Sequence, residues 1–427
     1  MSTTEFKNRV FGCVILKSIN SNFNADFTHH PRTLPDGVVY STDKALKYAV
    51  KDYFRKHLND NRLFYVKRFD DKMNPKTLNE TYKDIFGNYP KAPIEKYSLF
   101  FFDGETVTGV LPEKPKKKQV TDFFKSLEED SPLKKYSASI AKLTSKDVAY
   151  AKESEVNTEG LESECYFHLN KNKQIMKIEG DLEELKELSE KLDLDLTGGV
   201  NKFEVLGKLL TCCDIRLFGA TYADGIGKVN ISIHGPVQIN HGVNRYMDTQ
   251  GNVMNEIYTE DILSPFTTDK TKQMSTIGNQ TNLKEGHYVF HFSINPKNTE
   301  ELYKKVNDNS LFLSNEDIQK LKEAFNNSVT ALDSSRKIGT ENEATVFVQL
   351  IDGSKKMLPS FTELVNIKRN GEKVEIDCSL VHQSLQKIDA DVMNVEVYYN
   401  PINTVLIGLD KVGKIKHFNI LNNEEIK

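Results

Sequence analysis

Lys44, Lys47 and Lys51 fall three and four residues apart, and Arg55 extends the row. On a helix that spacing lines the four cations along one face. Such a stripe suits a grip on phosphates, whose contacts set register without reading sequence. It is equally the pattern of a solvated helix face. Ser41 and Thr42 stand where that helix would begin, and free backbone N–H groups at a helix start suit an anion. Just upstream, Asn22, Asn24, His29, His30 and Arg32 share one loop. The Arg32 guanidinium has the geometry for bidentate phosphate contact, while asparagine there also serves turns. Arg216 and Phe218 occupy alternate positions of an apparent strand, suited to nucleic acid or to a buried structural role. Arg245 and Tyr246 lie at the start, and Gln273, Met274, Ser275, Thr276 and Asn279 near the end, of a long polar stretch over 241–285. Small polar residues around one apolar side chain suit insertion between bases; a mobile surface loop has the same composition. Arg336 and Lys337, in SSRKIGTENE, suit contact with nucleic acid or with another protein surface.

Other chemistries lack their residues. Five cysteines without a CxxC pair make neither a disulfide framework nor a zinc site, and His30 beside His29 has no ligand cluster around it. Gly219, Gly225 and Gly227 miss the spacing of a nucleotide-binding loop, and no phosphate-binding loop or Ser-His-Asp set stands out. No metal and no cofactor is expected. The formal net charge is -4, so any grip on nucleic acid must come from local patches. One such region is residues 1–58, with 9 Lys/Arg against 5 acidic residues; residues 151–200 reverse this, with 13 acidic residues against 6 lysines, and should face away from phosphate. Trp is absent, which leaves stacking to Phe, Tyr, His, Met or Arg. Neither a signal-peptide core nor an apolar run of membrane-spanning length stands out, so a soluble, cytoplasmic protein is expected.

The elements that would position these residues follow from periodicity. RVFGCVILKSIN at 9–20, RLFYVKRF at 62–69, DIRLFGATYA at 214–223, KVNISIHGPVQI at 228–239, HYVFHFSI at 287–294 and ATVFVQLI at 344–351 read as strands. STDKALKYAVKDYFRKHL at 41–58, DLEELKELSEKL at 181–192 and LSNEDIQKLKEAFNNSVTAL at 313–332 read as amphipathic helices, the last with Ser314 as cap. LFFFDG at 99–104, KVEIDCSLV and MNVEVYYN are further strand candidates. The order suits an α+β, ferredoxin-like sheet interrupted by large insertions.

Four stretches in this order carry a resemblance: SINSNFNAD with HPRTLPDGVVYSTDKALKYAVKDYF; CDIRLFGAT with GPVQI; QMSTIGNQTNLKEGHYVFHFSINP; and LSNEDIQKLKEAF with SSRKIGTENEATVFVQL. Together they cover about half of the chain and resemble the repeated backbone subunit of type I CRISPR interference complexes (Cascade), of the I-B and I-C kind. The resemblance implies an RRM-like palm over 1–69 with 206–360, a helical finger or web lobe inserted at 70–205, a thumb at 241–285 and a C-terminal β-containing extension at 361–427. It implies that the protein coats guide RNA, with the helix at 41–58 on the RNA, and presents bases for pairing with target DNA. The partners would be further copies of the chain and other Cascade subunits, with no membrane and no catalytic step. Two other readings stand beside it. Backbone subunits of type III complexes cut target RNA with an acidic residue in the loop after the first strand, where Asp26 lies. A stand-alone RRM-like RNA-binding regulator is the third reading.

Overall fold

A computed structural model describes residues 4–60, 62–90, 99–109, 117–143, 149–195, 200–225, 229–263, 276–411 and 413–426. They divide into two units, one drawn from 1–87, 206–226 and 230–427, the other mainly from 88–205. Among the described residues no helix is long and apolar enough to cross a membrane.

The larger unit is organised by nine elements: β1 (Val10–Ser21), α1 (Asp43–Lys56), β2 (Gly242–Asn244), β3 (Ile257–Leu263), β4 (Thr276–Ile294), α2 (Asn315–Asn327), β5 (Thr340–Leu350), β6 (Val392–Tyr399) and β7 (Ile415–Asn419). The strands lie side by side in the order β7-β6-β5-β1-β4-β2, with Tyr40–Ser41 at the far edge. β1 is central and antiparallel to both neighbours, so Val14 pairs with Phe290 on one side and Thr345 on the other. Only β6 and β7 run parallel within this series. After β1 the chain crosses to Tyr40–Ser41 beside β2 and enters α1 directly from there, while α2 lies between β4 and β5.

β1 reads as an unbroken apolar run because both of its faces are buried. Val10, Val14 and Leu16 point to a core shared with α1 and α2, where Leu46, Ala49, Val50 and Phe54 meet Ile318, Leu321 and Phe325. Phe11, Cys13 and Ile15 point the other way, against Phe361, Ile367, Ile376 and Val381 of the C-terminal part. α1 forms where Ala45, Leu46, Ala49, Val50 and Phe54 repeat at helical spacing and bury one side. Phe54 has no exposed surface, and its truncation to Ala would cost roughly 3–5 kcal/mol. α2 starts at a reciprocal cap, in which the Ser314 hydroxyl accepts the Asp317 N–H and the Asp317 carboxylate accepts the Ser314 N–H.

A polar node ties the C-terminal part to the sheet. The fully buried His287 ring has Nδ1 2.6 Å from Glu343 and Nε2 3.3 Å from Glu285. Arg369 closes on Glu285 from the hairpin of strands Asn366–Asn370 and Lys373–Asp377, at 2.8 Å.

Several expected strands take other forms. Residues 62–69 contain no strand: the Phe64 and Tyr65 N–H groups donate to the carboxylate of Asp214, at 2.9 and 2.8 Å, instead of to a neighbouring strand. DIRLFGATYA splits into a helix, Cys213–Phe218, and a strand, Gly219–Asp224. The break is Gly219, whose φ of +74° ends the helix and whose missing Cβ leaves room for the Ile233 carbonyl. KVEIDCSLV likewise divides, its second half opening the helix Ser379–Gln386. The stretch over 241–285, read as irregular, contains a long hairpin of β3 and the first half of β4, paired from Ile257–Leu283 to Leu263–Thr276. Nearly every residue of β3 is exposed, so no buried face imposes the alternation that would have marked it.

The smaller unit has its own antiparallel sheet, ordered Val107–Gly109, Phe100–Phe102, Cys165–Leu169, Ile175–Ile178. Leu185 and Leu188 of the helix Leu182–Asp195 enter a core with Val120, Phe124, Tyr136, Ile140 and Tyr166.

Candidate nucleic-acid interface

The loop after β1, the start of α1 and the turn before β5 meet at one end of the sheet. The Asn22 N–H donates to the Arg336 carbonyl at 2.9 Å, and the Asn22 side chain, buried, donates to the carbonyls of His29 and Thr281 at 3.1 Å each. Asn24 reaches the helix start, its Oδ1 accepting both the N–H and the hydroxyl of Thr42 at 2.9 Å. The two asparagines therefore work as loop staples. The Arg32 N–H donates to Asn24 and the Arg32 carbonyl accepts from the Tyr40 N–H, which holds Arg32 along the same rim.

Polar atoms here remain without a protein partner. The Arg32 Nε, the Ser41 hydroxyl and the Asn22 Oδ1 are buried and make no hydrogen bond. Buried polar groups are ordinarily paired, and unpaired ones also occur elsewhere among the described residues, at Arg9, Arg68 and Ser360. Lys337 adds a desolvated cation: its Nζ lies 5.4 Å from the Phe23 ring and 5.6 Å from the Tyr48 ring, and burial lowers its pKa. Lys44 is exposed.

The lysine stripe is not uniform. Lys47 pairs with Asp43 at 3.0 Å and lies over the Phe218 ring. Lys51 donates to the Tyr65 carbonyl at 2.7 Å; burial lowers its pKa against the opposing pull of Asp214. The helix start is also partly occupied, since the Asp43 N–H points at the His241 Nδ1, 3.4 Å away. Thr42 is the residue before the helix but its side chain makes no cap bond.

Other expected residues lie apart from this rim. Arg216 is locked to Asp317 at 2.8 and 3.1 Å and to the carbonyls of Leu210 and Thr211, the structural role that its position also suited. Arg245 holds the Val365 carbonyl and the Asn366 side chain, and Tyr246 is buried with its ring 5.0 Å from His287. Both therefore brace the C-terminal part. Asn279 is exposed on the hairpin, opposite Asp261. Thr276 begins β4; Gln273, Met274 and Ser275 lie outside the described residues. His29 is exposed at a positive φ of 69°.

Sequence reading missed Phe23, Tyr48 and His241 as members of this end. Their signal was proximity to the candidate loop and helix, but the partners come from the turn at 334–339 and the segment before β2. Asp26 also has a defined role: its Oδ1 accepts the Thr28 N–H, the Thr28 hydroxyl and the His30 N–H at 2.8, 2.8 and 3.0 Å. The Thr28 hydroxyl and the backbone bonds lower its pKa, so it is held as a turn-forming carboxylate. Among the described residues no group of three or more His, Cys, Asp or Glu side chains is arranged to hold a metal ion.

A family model described as CRISPR-associated protein Cas7 matches residues 8–385. No curated protein sequence matches the chain. Among solved structures the chain is similar to one titled "CRISPR RNA-guided surveillance complex, pre-nicking", at 12% identity and a TM-score of 0.45, over 97% of both chains. It is also similar to one titled "CRISPR RNA-guided surveillance complex", at 12% identity and a TM-score of 0.38, over 96% of both.

Proposed function

The chain belongs to the CRISPR-associated Cas7 family, and from that premise we propose that it is a backbone subunit of a type I effector complex. It binds guide RNA through phosphate contacts, repeats along the RNA with other copies of itself and with other Cascade subunits, and leaves the bases free to pair with target DNA. Sequence recognition then belongs to the RNA. The observation that carries this is the rim of Arg32, Ser41, Lys44 and Lys337, which combines unpartnered polar atoms with cations in a chain of net charge -4.

We read β5-β1-β4-β2 with α1 and α2 on one face as an RRM-like palm, supported by the strand order and by the antiparallel pairings of β1. The palm takes 1–69 with 206–360, the inserted 70–205 is a finger or web, 241–285 is the thumb, with the hairpin of β3 and β4 at its centre, and 361–427 adds β6 and β7 at the sheet edge. The subunit is cytoplasmic and carries no catalytic step of its own; the triple engagement of the Asp26 Oδ1 supports that.

Size-exclusion chromatography read at two absorbance wavelengths tests this reading. The protein should elute as large particles rich in RNA, and particle length should follow RNA length. A monomer free of nucleic acid that stays so when mixed with guide RNA sinks the reading.

A further inference from the structure

We propose that Phe27 is a base-stacking residue, presented by a rigid turn to a nucleobase of the bound nucleic acid; this rests on the RNA-binding reading above. Phe27 is 96% exposed, the most exposed large apolar side chain among the described residues. A single exposed apolar residue ordinarily needs no explanation. This one sits in a turn held by a carboxylate, as Met73 does in the turn Asp70–Asn74, but at the tip of the candidate interface loop.

Ala25 and Pro31 pair across the base of the turn. Inside it, the Asp26 N–H donates to the His30 carbonyl at 2.8 Å and the His29 N–H to the Asp26 carbonyl at 3.2 Å. The Asp26 Oδ1 adds its three bonds to Thr28 and His30, and the Thr28 hydroxyl also lies 3.0 Å from the His30 ring. The turn thus has few ways to fold Phe27 back onto the protein. The same carboxylate design recurs at Asp248–Asn252, where Gly251 takes the positive φ of 88°. In the Phe27 turn that position is His29, with φ 69°, a left-handed conformation uncommon for residues other than glycine but taken by histidine more readily than by most. A histidine there adds a second ring to the tip.

The surroundings select a nucleobase over an apolar protein pocket. Phe27 stands among Thr28, His29 and His30, and the loop continues to Arg32, whose buried Nε has no partner. The loop root is fixed to Arg336 and packs Phe23 beneath the Lys337 ammonium. Aromatic side chains interleaved with cations are what single strands bind, the ring stacking on a base while the cations take its phosphates. The base can belong to the guide RNA or to the DNA strand paired with it; the stacking chemistry is shared.

Because the chain contains no Trp, Phe27→Trp creates a single fluorescent reporter at the tip. The experiment uses the full chain, a guide RNA of defined sequence, and then the complementary or a non-complementary DNA strand, with binding measured separately by a labelled oligonucleotide. Quenching on RNA addition assigns the base to the guide; quenching only on adding complementary DNA assigns it to the target. Phe27→Ala and Phe27→Leu should each weaken binding of that strand roughly tenfold, and Phe27→Tyr should retain it. Unchanged thermal melting of these variants would confirm that the fold is untouched. Normal RNA and DNA binding without quenching, or unchanged affinity in Phe27→Ala, overturns the stacking role and leaves the RNA-binding reading standing. Quenching that requires another protein subunit and no nucleic acid also overturns it. Failure of the parent chain to bind RNA overturns both.

Discussion

Lys51 and Lys44 belong to the same helix face yet differ in surroundings. Lys51 donates a hydrogen bond to the Tyr65 carbonyl at 2.7 Å in a half-buried setting, whereas Lys44 is exposed. A hydrogen bond from a charged donor is worth roughly 1.5–3 kcal/mol. Lys51→Ala should therefore lower unfolding free energy by about that amount in a denaturant titration. Lys44→Ala should change stability by less than about 0.5 kcal/mol. Its effect belongs on RNA: the slope of log affinity against log salt should flatten by about 0.7, the share of one phosphate on a single strand. An unchanged slope in Lys44→Ala would return that side chain to the solvated face.

Along β4, His287 and His291 lie four residues apart on the same face of the strand and titrate in opposite senses. Burial works against a charged His287, but Glu343 and Glu285 outweigh it and raise the pKa, with Arg369 behind Glu285 and the Tyr246 ring alongside. Its contribution is whole below the ordinary value of 6.5 and is lost as pH rises through the folded value. His291 is pushed down to about 4 by burial, while its Nδ1 accepts the Phe361 N–H. That contribution is whole above 6.5 and is lost as pH falls through the folded value. Stability should peak near pH 6.5 and fall on both sides. Imidazole NMR titration separates the two, and a His287 resonance with a midpoint at or below 6.5 would refute the raised value. The hairpin makes a second prediction at this scale. Replacing residues 260–279 by a short Gly/Ser linker should leave melting of the sheet unchanged, since β3 is almost wholly exposed, yet abolish regular particles on RNA. Equally regular particles would mean that the hairpin is not the thumb.

For the whole molecule, the proposed lack of a cutting step is the reading most open to test. The loaded complex should leave a labelled complementary RNA intact in magnesium or manganese, and Asp26→Ala should behave identically. Regularly spaced cuts that disappear in Asp26→Ala would move the protein to the RNA-cleaving type III class. The -4 net charge has a separate consequence. A chain of this net charge offers no overall positive field to draw RNA, so the proposed binding should rest on local cationic patches.

Much of this architecture is legible in the chain itself. β1 and β5 announce themselves as apolar runs because both of their faces are buried. α1 and α2 announce themselves by a one-sided apolar repeat, and α2 by its Ser314 cap. These are local consequences of burial, and burial period is what sequence records. The positions of Asn22, Asn24 and Arg32 near one loop and one helix start were equally local. Tertiary structure alone decided which cations are committed. Arg216 meets Asp317 across 101 residues, Lys51 meets Tyr65, and Arg245 meets Asn366 across 121 residues. It also decided that residues 62–69 are no strand, with the Phe64 and Tyr65 N–H groups taken by Asp214 about 150 residues away. A charged or polar side chain carries no mark of its partner. It takes whichever complementary group chain folding brings within about 3 Å, so the same lysine spacing yields a half-buried strut at Lys51 and an exposed cation at Lys44.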